Sequence, residues 1–576
     1  MEEKALGDTI VARLERAAEI GRAIDGIRVL DRHERGDHRS WAEIRDAAAR
    51  VAGGLCALGL KPGDRVALIL PTCPGFLDIW FGASWMGAVS VALYPPVRLG
   101  RLDEYYERTV RMLERTDTKL IVTDKRIQRI LGPVLQRAAP ALGMHTVEAL
   151  ASADPIPARP AESDGLMMVQ FSSGTTHHPK PVGLTHSQVL ANTEAILDFM
   201  PADAQYEHGG VSWLPLYHDM GLIGCIMPAV HRPGPLTLLP PEAFLARPAI
   251  WLRAISTFSA TVSPAPNFAY ALCTERIRDE ELEGCDLSSW RLALNGAEPT
   301  SPAVMDAFIE RFRPWGLRPE ALTPVYGLSE AALAVTFGVP ERPFHSRCFD
   351  RDALAQGTVQ AAETGVRLAS VGRSLRGFAV QIRAAGGGLS ASDAVGEIWV
   401  SGPSLMEGYM DGSQSPIQAG WLQTGDLGFV HEGELFVTGR AKDVLVIRGR
   451  NHAPQDVETA VGPVMGVRTG CAAAVADIGE DGERLLVFVE YRADPPEDLP
   501  EMCRTAILAA TGLDPDLVVA LSPGTLPRTS SGKIRRAETL RRWLAGELHP
   551  PEAVTPWFLA GALAKSAWAR MRHNPE

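Results

Sequence analysis

The chain has 576 residues, of which 46% are hydrophobic and 22% charged, with a formal net charge of −12 and a pI of about 5.7. This length exceeds one ordinary domain, and the composition argues against a largely disordered chain. The acidic balance argues against a general nucleic-acid-binding protein, which would carry a basic face. The eight cysteines contain no C-x-x-C pair, which favours unpaired thiols in a reducing compartment.

The N-terminus predicts a cytoplasmic protein. Residues 1–4 read MEEK, and this charged start lacks the apolar core of a signal peptide. The longest apolar run, residues 220–230, is about half the length of a membrane-spanning helix. We therefore expect no stable membrane insertion.

The first half of the chain alternates between helical and strand-like segments. Ser40 and Glu43 fit a capping box at the start of an alanine-rich helix. An apolar strand-like run at 65–70 precedes a buried helical pattern at 76–86, and a second strand-like run follows at 88–93. This alternation predicts an α/β domain with largely parallel sheets.

The pattern changes towards the C-terminus. Between 371 and 436, short strand-like runs are separated by glycine turns, which indicates a small β-rich subdomain. A new series of strand-like and helical segments begins near Lys442. We predict an N-terminal domain at 1–441 and a smaller α+β C-terminal domain at 442–576.

The strongest local motif is SSGTTHHPK at residues 172–180, directly after an apolar strand-like run. Glycine lets backbone N–H groups approach a phosphate, hydroxyls donate hydrogen bonds to it, and a lysine offsets its charge. The motif differs from a P-loop because Pro179 replaces the second glycine. An ordinary polar surface loop is the alternative, whereas the adjacent histidines do not suggest a metal site. The candidate phosphate-binding residues are Ser172, Ser173, Gly174, Thr175, Thr176 and Lys180.

Four further motifs follow in order: YGLSE at 326–330, TGD at 424–426, GRAKD at 439–443 and PRTSSGK at 527–533. With the first motif, they resemble the signature of the adenylate-forming superfamily, which includes acyl-CoA synthetases, peptide-synthetase adenylation domains and luciferases. The resemblance covers essentially the whole chain. It implies a large N-terminal domain and a mobile C-terminal domain, with ATP and Mg²⁺ as cofactors.

Three other stretches, at 211–224, 262–270 and 448–452, resemble the fatty acyl-AMP ligase branch of that superfamily. An extra stretch between 343 and 372 resembles the insertion that marks this branch. In the family, the insertion is associated with poor use of coenzyme A. The phosphate loop departs from the family pattern, because His177 and Pro181 stand where glycines are usual.

The resemblance also assigns roles to individual residues. Lys533 would be the catalytic cation, Glu330 would be associated with magnesium, and Asp426 would hold the ribose hydroxyls with support from Arg440. The remaining residues expected to line the adenine and ATP pocket are Asn295, Gly296, Ala297, Glu298, Tyr326, Gly327, Leu328 and Ser329.

Each of these roles has a simpler alternative. Glu330 could be an N-terminal charge on a helix continuing through Ala331 and Ala332. Asp426 could be a turn residue, and Lys533 could be one solvated cation among neighbouring arginines.

The resemblance places the acyl pocket around His218, which would lie near the reacting carboxylate. An ordinary apolar core is the alternative for these residues. The expected acyl-binding residues are Trp213, His218, Met220, Gly221, Leu222 and Ile223.

The predicted function is ATP-dependent conversion of a carboxylic acid, expected to be a fatty acid, into an acyl-AMP. The acyl group would then pass to the phosphopantetheine thiol of a separate acyl carrier protein, after rotation of the C-terminal domain about Lys442. The alternatives are an acyl-CoA ligase and a binding module without turnover. An α/β-hydrolase is disfavoured, because Ala331 stands where a nucleophile elbow needs glycine.

The C-terminal region is locally basic. Residues 521–576 contain nine Lys or Arg against four Glu. A solvated surface explains this excess, but so does a docking face for an acidic carrier. The aromatic stretch at 556–570 is expected to pack on its own domain, with a partner-binding or membrane-surface role as the alternative.

Overall fold

The computed structural model describes residues 8–96, 99–172, 179–201, 208–384, 386–391, 393–447, 450–479, 482–529, 532–552 and 554–573. Four of the predicted phosphate-binding residues, Ser173, Gly174, Thr175 and Thr176, lie outside these ranges. We call residues 8–441 the large lobe and residues 442–552 the small lobe.

Helices begin where local capping chemistry favours them. At the start of the helix at Trp41–Ala57, the Ser40 hydroxyl accepts a hydrogen bond from Glu43 N, and Ser40 N donates to the Glu43 carboxylate at 2.8 Å. The predicted capping box is therefore confirmed. The α-helices are α1 (Ile10–Ile20), α2 (Trp41–Ala57), α3 (Pro74–Trp85), α4 (Leu102–Arg115), α5 (Lys125–Gln128), α6 (Gly132–Ala138), α7 (Val147–Leu150), α8 (His186–Phe199), α9 (Asp219–Gly221), α10 (Met227–His231), α11 (Pro241–Ala246), α12 (Ala249–Thr257), α13 (Asn267–Arg276), α14 (Pro302–Phe312), α15 (Arg351–Ala355), α16 (Pro454–Val461), α17 (Leu499–Thr511), α18 (Arg536–Leu544) and α19 (Pro556–His573).

Strands follow the apolar runs that the sequence marks. The strands are β1 (Gly26–Val29), β2 (His38–Ser40), β3 (Arg65–Ile69), β4 (Val89–Leu93), β5 (Thr118–Thr123), β6 (Met144–Thr146), β7 (Leu166–Phe171), β8 (Pro181–Thr185), β9 (Gly210–Ser212), β10 (Pro235–Leu238), β11 (Val262–Ala265), β12 (Leu292–Asn295), β13 (Leu322–Gly327), β14 (Ala334–Phe337), β15 (Ser346–Phe349), β16 (Val366–Ala369), β17 (Arg373–Ser374), β18 (Ala379–Arg383), β19 (Gly396–Ser401), β20 (Ile417–Gln418), β21 (Trp421–His431), β22 (Glu434–Arg440), β23 (Leu445–Ile447), β24 (Arg450–His452), β25 (Val467–Gly479), β26 (Gly482–Tyr491) and β27 (Leu517–Leu521). The strand, helix and strand predicted between 65 and 93 are confirmed as β3, α3 and β4.

The large lobe contains two sheets that are largely parallel, as predicted. A six-stranded sheet has the order β6-β5-β3-β4-β7-β8, and only its β7–β8 pair is antiparallel. A nine-stranded sheet has the order β17-β14-β13-β12-β11-β9-β10-β1-β2 and is parallel from β13 to β1. One apolar cluster contains residues from both sheets. Strands of parallel sheets are usually covered on both faces, which fits this arrangement.

The predicted β-rich subdomain is also present. Strands β18 to β22 form a five-stranded sheet whose pairs are antiparallel. Its last strand, β22, ends at Arg440, directly before the small lobe. Subdomain and parallel sheets together match the predicted fold class.

The small lobe has its own core. Its sheet has the order β25-β26-β27, and Val457, Val487 and Ile507 are fully buried between this sheet and the helices α16 and α17. The lobe is therefore an α+β unit. The boundary at Lys442 stays a prediction.

The C-terminal helix α19 differs from its prediction. We expected 556–570 to pack on its own domain, but α19 packs against α6 of the large lobe. Ser566 Oγ accepts a hydrogen bond from Gly132 N at 2.8 Å, and Phe558 joins an apolar cluster of the large lobe. The sequence could not select this contact, because either lobe offers an apolar surface. Across the described ranges, no helix has the length and apolar character needed to cross a membrane.

Candidate active site

A cleft opens where the parallel strands of the nine-stranded sheet end. The strands β11, β12 and β13 are neighbours and parallel, so their carboxyl ends meet at one edge. The segments that follow β12 and β13 line the cleft, and the small lobe faces them from the other side. In open α/β sheets this edge is the usual position for a ligand.

The segment after β13 turns sharply to present Ser329 and Glu330. Ser329–Ala331 is a single 3-10 turn, and Ala332 ends it with a φ of 65°. Gly327 passes so close to Leu333 that any Cβ would overlap the Leu333 carbonyl oxygen. The alternative of a helix through Ala332 is therefore wrong, and Glu330 owes its position to this turn.

Asp426 lies at the centre of a hydrogen-bonded group on the cleft wall. The carboxylate accepts a bond from Tyr326 Oη at 2.9 Å on one oxygen and from Arg440 Nε at 2.9 Å on the other. Asp426 and Arg440 are directly paired across β21 and β22. Each carboxylate oxygen keeps a lone pair for a further donor, such as a sugar hydroxyl.

Asp219 links His218 to the turn that follows β13. Its carboxylate lies 2.6 Å from His218 Nδ1 and accepts a 2.5 Å hydrogen bond from Ser329 Oγ. Burial alone would raise the pKa of Asp219. The His218 ring, the Ser329 hydroxyl and the Lys533 ammonium outweigh this effect and hold that pKa at about 2. Asp219 is therefore a fixed buried anion between the predicted acyl and nucleotide regions.

Glu330 faces the phosphate-loop side of the cleft. Its Oε1 accepts a hydrogen bond from Tyr409 Oη at 3.0 Å, and Lys180 Nζ lies 4.2 Å from the centre of the Tyr409 ring. Burial raises the pKa of Glu330. A bound cation would reverse this effect, because it favours the ionised carboxylate.

The two ends of the predicted phosphate loop are held together. Ser172 N donates to the Lys180 carbonyl at 2.9 Å, and Ser172 Oγ accepts a bond from Lys180 N at 3.4 Å. Both residues line the cleft. Ser172 and Lys180 therefore form a hydrogen-bonded pair at the cleft.

The segment after β12 forms another part of the wall. Asn295 is buried, and its Nδ2 donates to Asn267 Oδ1 at 3.2 Å. Ala297 has a φ of 68°, and Gly296 has no room for a side chain beside Val325. This strained turn brings Glu298 to the cleft.

Glu298 and Lys533 line the cleft from opposite lobes. Glu298 Oε1 accepts a 2.5 Å hydrogen bond from Phe268 N, and burial raises the pKa of this carboxyl group. Burial and the positive charge of Arg440 lower the pKa of Lys533, while Asp219, Glu298 and Asp426 oppose that shift. The Lys533 ammonium therefore lies within the electrostatic reach of three carboxylates of the large lobe.

The predicted acyl-binding residues divide into two groups. Trp213 and Met220 line the cleft, and the Trp213 ring stacks on Phe244 with centroids 4.0 Å apart. Leu222 and Ile223 have no exposed surface and pack in the core, so they do not line the cleft as expected.

Gly221 likewise packs inward, because a Cβ there would overlap the Pro215 carbonyl. Both groups have the same apolar character in the sequence. The turn at α9 separates them, because buried Met220 borders the cleft whereas Leu222 and Ile223 lie wholly in the core.

Asn295 and Gly296, which were expected to line the ATP pocket, do not line the cleft. Gly327 and Leu328 line it after β13, and Lys442 is exposed on its rim directly after β22. Sequence reasoning missed Tyr409 and gave Asp219 no role. The sequence does show an acid directly after His218 in an apolar segment, which could have marked Asp219 as a functional residue. No motif near Tyr409 indicates a role for its side chain.

Comparison with known proteins identifies the family and the fold. The model of the AMP-binding enzyme family matches residues 18–410. A long-chain-fatty-acid–AMP ligase, FadD26, from Mycobacterium tuberculosis is 33% identical over 547 residues, which cover 88% of this chain and 91% of the relative. A 4-hydroxyphenylalkanoate adenylyltransferase from Mycobacterium marinum is 33% identical over 539 residues, with 88% and 85% coverage.

A solved structure is similar over nearly the whole chain. It comes from a study of fatty acyl-adenylate ligases of E. coli and L. pneumophila, and it has a TM-score of 0.87 at 33% identity. The match covers 93% of this chain and 98% of that one. The predicted resemblance to the fatty acyl-AMP ligase branch is therefore confirmed.

Proposed function

The chain belongs to the AMP-binding enzyme family, and on that premise we propose that it activates a fatty acid with ATP to give an acyl-AMP and pyrophosphate. The observation that carries this proposal is that Lys533 of the small lobe lines the same cleft as Asp219, Glu298 and Asp426 of the large lobe, within their electrostatic reach. A cation among these carboxylates suits a site where two anionic reactants must approach each other.

In the proposed reaction, a carboxylate oxygen of the acid attacks the α-phosphorus of ATP. The new oxygen–phosphorus bond forms as the bond to the β-phosphate's bridging oxygen breaks, and pyrophosphate leaves with the electron pair. Negative charge accumulates at the α-phosphate in the transition state. Lys533 would stabilise that charge from a partly dehydrated position, where a fixed cation acts more strongly than in water.

The large lobe would orient the nucleotide. Asp426, fixed by Tyr326 and Arg440, would accept hydrogen bonds from the ribose hydroxyls. The segment at 295–298 would border the adenine. Ser172 and Lys180 would approach the phosphates from the loop after β7.

The half-buried carboxylate of Glu330 would hold a magnesium ion at the phosphate side of the cleft. Mg²⁺ commonly uses one or two protein carboxylates and completes its shell with phosphate and water. No group of three His, Cys, Asp or Glu side chains able to bind a metal occurs in the described residues, so substrate oxygens would complete the shell. Bound Mg²⁺ would neutralise phosphate charge, and Tyr409 would hold Glu330 in place.

An apolar wall supports a fatty acid as the substrate. Trp213, Phe268 and Leu272 line the cleft, and the Trp213 and Phe268 rings lie 5.9 Å apart. The relative named for 4-hydroxyphenylalkanoates makes an aryl-substituted acid the second candidate.

We further propose that the acyl group then passes to the phosphopantetheine thiol of a separate acyl carrier protein. The support is the likeness to fatty acyl-adenylate ligases and the stretch at 343–372. There, Arg351 donates a hydrogen bond to the Ala510 carbonyl of the small lobe at 3.1 Å. Contacts of this kind would limit how the small lobe moves.

One assay tests both steps. Purified full-length protein is given Mg·ATP and a panel of saturated fatty acids and aryl-substituted acids, and pyrophosphate release is followed. Fatty acids should give the highest rates, and absence of release with every acid would favour a binding module without turnover. Holo-carrier protein or free coenzyme A is then added, and efficient acyl-CoA formation would contradict the carrier proposal.

A further inference from the structure

Helix α19 is apolar on two opposite faces. Phe558, Ala562 and Ser566 point toward the large lobe, where Phe558 and Ala562 join an apolar cluster that includes α6. A surface helix with one face packed in this way normally carries charged residues on the other. Here the opposite face is apolar as well.

The outer face forms a continuous stripe along the helix. At 100° per residue, its members lie within about 60° of Trp557, directly opposite Ser566. A Cβ built at Gly561 would meet nothing within 4 Å, so the stripe faces open space at this position. Trp557 is 86% exposed, Trp568 50% and Met571 69%. The stripe consists of Trp557, Ala560, Gly561, Ala564, Trp568 and Met571.

Exposed apolar side chains concentrate in this part of the surface. Of the eighteen large apolar side chains that are exposed in the described residues, five lie between 554 and 571. A continuous apolar patch of this kind marks a binding surface rather than scattered exposure.

The charge around the stripe is opposite to that of the whole protein. Residues 553–573 contain no Asp or Glu and three cations, Lys565, Arg570 and Arg572, although the chain carries a net charge of −12. Lys565 Nζ lies 3.2 Å from Asp103 Oδ1, so one of these three cations forms an ion pair with the large lobe.

A second basic segment includes α6, the helix on which α19 packs. Residues 125–137, which run through α5 and α6, contain four cations and no acid: Lys125, Arg126, Arg129 and Arg137. All four are exposed, and none takes part in an ion pair among the described residues. A tryptophan-bearing helix that packs on a segment of exposed cations has the composition expected at the surface of an anionic membrane.

We propose that α19 docks this protein onto an anionic lipid surface, with the stripe inserted at the level of the headgroups. Indole rings favour that level because they combine an apolar body with a polar N–H. Docking would leave the cleft free, because none of the stripe residues lines it.

The test is flotation of the full-length protein with vesicles of phosphatidylcholine alone or mixed with equal parts of phosphatidylglycerol. We expect binding to the mixed vesicles only. The double variant Trp557→Ala/Trp568→Ala should bind at least about tenfold more weakly. Met571→Ala should weaken binding, whereas Met465→Ala, an equally exposed methionine of the small lobe, should not.

The charge contribution is tested separately. Arg129→Ala and Arg137→Ala should each weaken binding about fivefold, and Arg373→Ala should have no effect. Pyrophosphate release with a water-soluble acid should stay unchanged in all variants, which shows that they fold and keeps this test independent of the proposed function.

Three results would overturn the proposal. The first is equal binding of wild type and the double variant to the mixed vesicles. The second is a dimer in light scattering that dissociates on Trp557→Ala, which would assign the stripe to a second copy. The third is loss of holo-carrier binding in the double variant, which would assign it to the carrier.

Discussion

The two lobes contribute to the site in different ways. In the large lobe, the charged groups are fixed by hydrogen bonds between distant parts of the chain, such as Ser329 to Asp219 at 2.5 Å and Tyr326 to Asp426 at 2.9 Å. In the small lobe, the backbone of Lys533 is bonded to Thr529 in its own loop, at 2.8 and 3.1 Å. The charged groups of the large lobe are therefore held in place by its own hydrogen bonds. Movement of the Lys533 loop would leave those hydrogen bonds intact.

The largest expected effect comes from removing the small lobe's cation. Lys533→Ala should lower the rate of acyl-AMP formation by about 10²–10³, because it removes one fixed group that stabilises transition-state charge. The rate is measured as single-turnover pyrophosphate release. Lys61→Ala, which removes an exposed lysine of the large lobe, is the control, and comparable losses in both variants would contradict the assignment.

A smaller loss is expected when the preformed network of the large lobe is broken. Asp219→Asn should lower kcat by about ten- to a hundredfold, because the amide cannot hold His218 and Ser329 as the carboxylate does. Asp219→Glu should recover part of the activity if the charge matters. If KM for ATP rose while kcat stayed constant, the network would serve nucleotide binding alone.

A substitution at the predicted hinge, Lys442, separates the effect of domain rotation from the effect on acyl-AMP formation. Lys442→Pro should leave acyl-AMP formation within about twofold of wild type and slow transfer to the carrier by roughly tenfold, because proline fixes φ at the hinge. The two half-reactions are measured separately on the same preparation. Equal slowing of both would count against a hinge at Lys442.

The smallest expected effect is on acid stability. The folded-state pKa of Asp219, about 2, lies below its unfolded value, so this group stabilises the fold above that unfolded value and loses its contribution as the pH falls towards 2. Between pH 5 and pH 3, wild type should lose about 1 kcal/mol more unfolding free energy than Asp219→Asn. Urea unfolding at both pH values measures this difference, and parallel losses would contradict it.

Periodicity and capping were sufficient to predict the fold, because they depend on neighbours in sequence. Ser40 and the alternation between 65 and 93 are examples. The packing of α19 on the large lobe could not be predicted, because an apolar helix face does not specify its partner. The same limit applies to Leu222 and Ile223, whose inward direction depends on a local turn.

Only the site residues that belong to a sequence motif could be predicted. The motifs marked Glu330, Asp426 and Lys533, which the structure brings to one cleft. They did not mark Tyr409, whose hydroxyl reaches Glu330 across 79 residues of chain. Contacts of this kind follow from the packing of the β-rich subdomain on the parallel sheets and leave no local trace.

The most direct test of the shared site is a crystal structure with a non-hydrolysable acyl-adenylate analogue, in which a sulfamoyl group replaces the phosphate. We expect the ribose hydroxyls on Asp426 and the Lys533 ammonium within hydrogen-bonding distance of the sulfamoyl oxygens. A bound analogue with Lys533 directed into solvent, or with its ribose away from Asp426, would contradict the account.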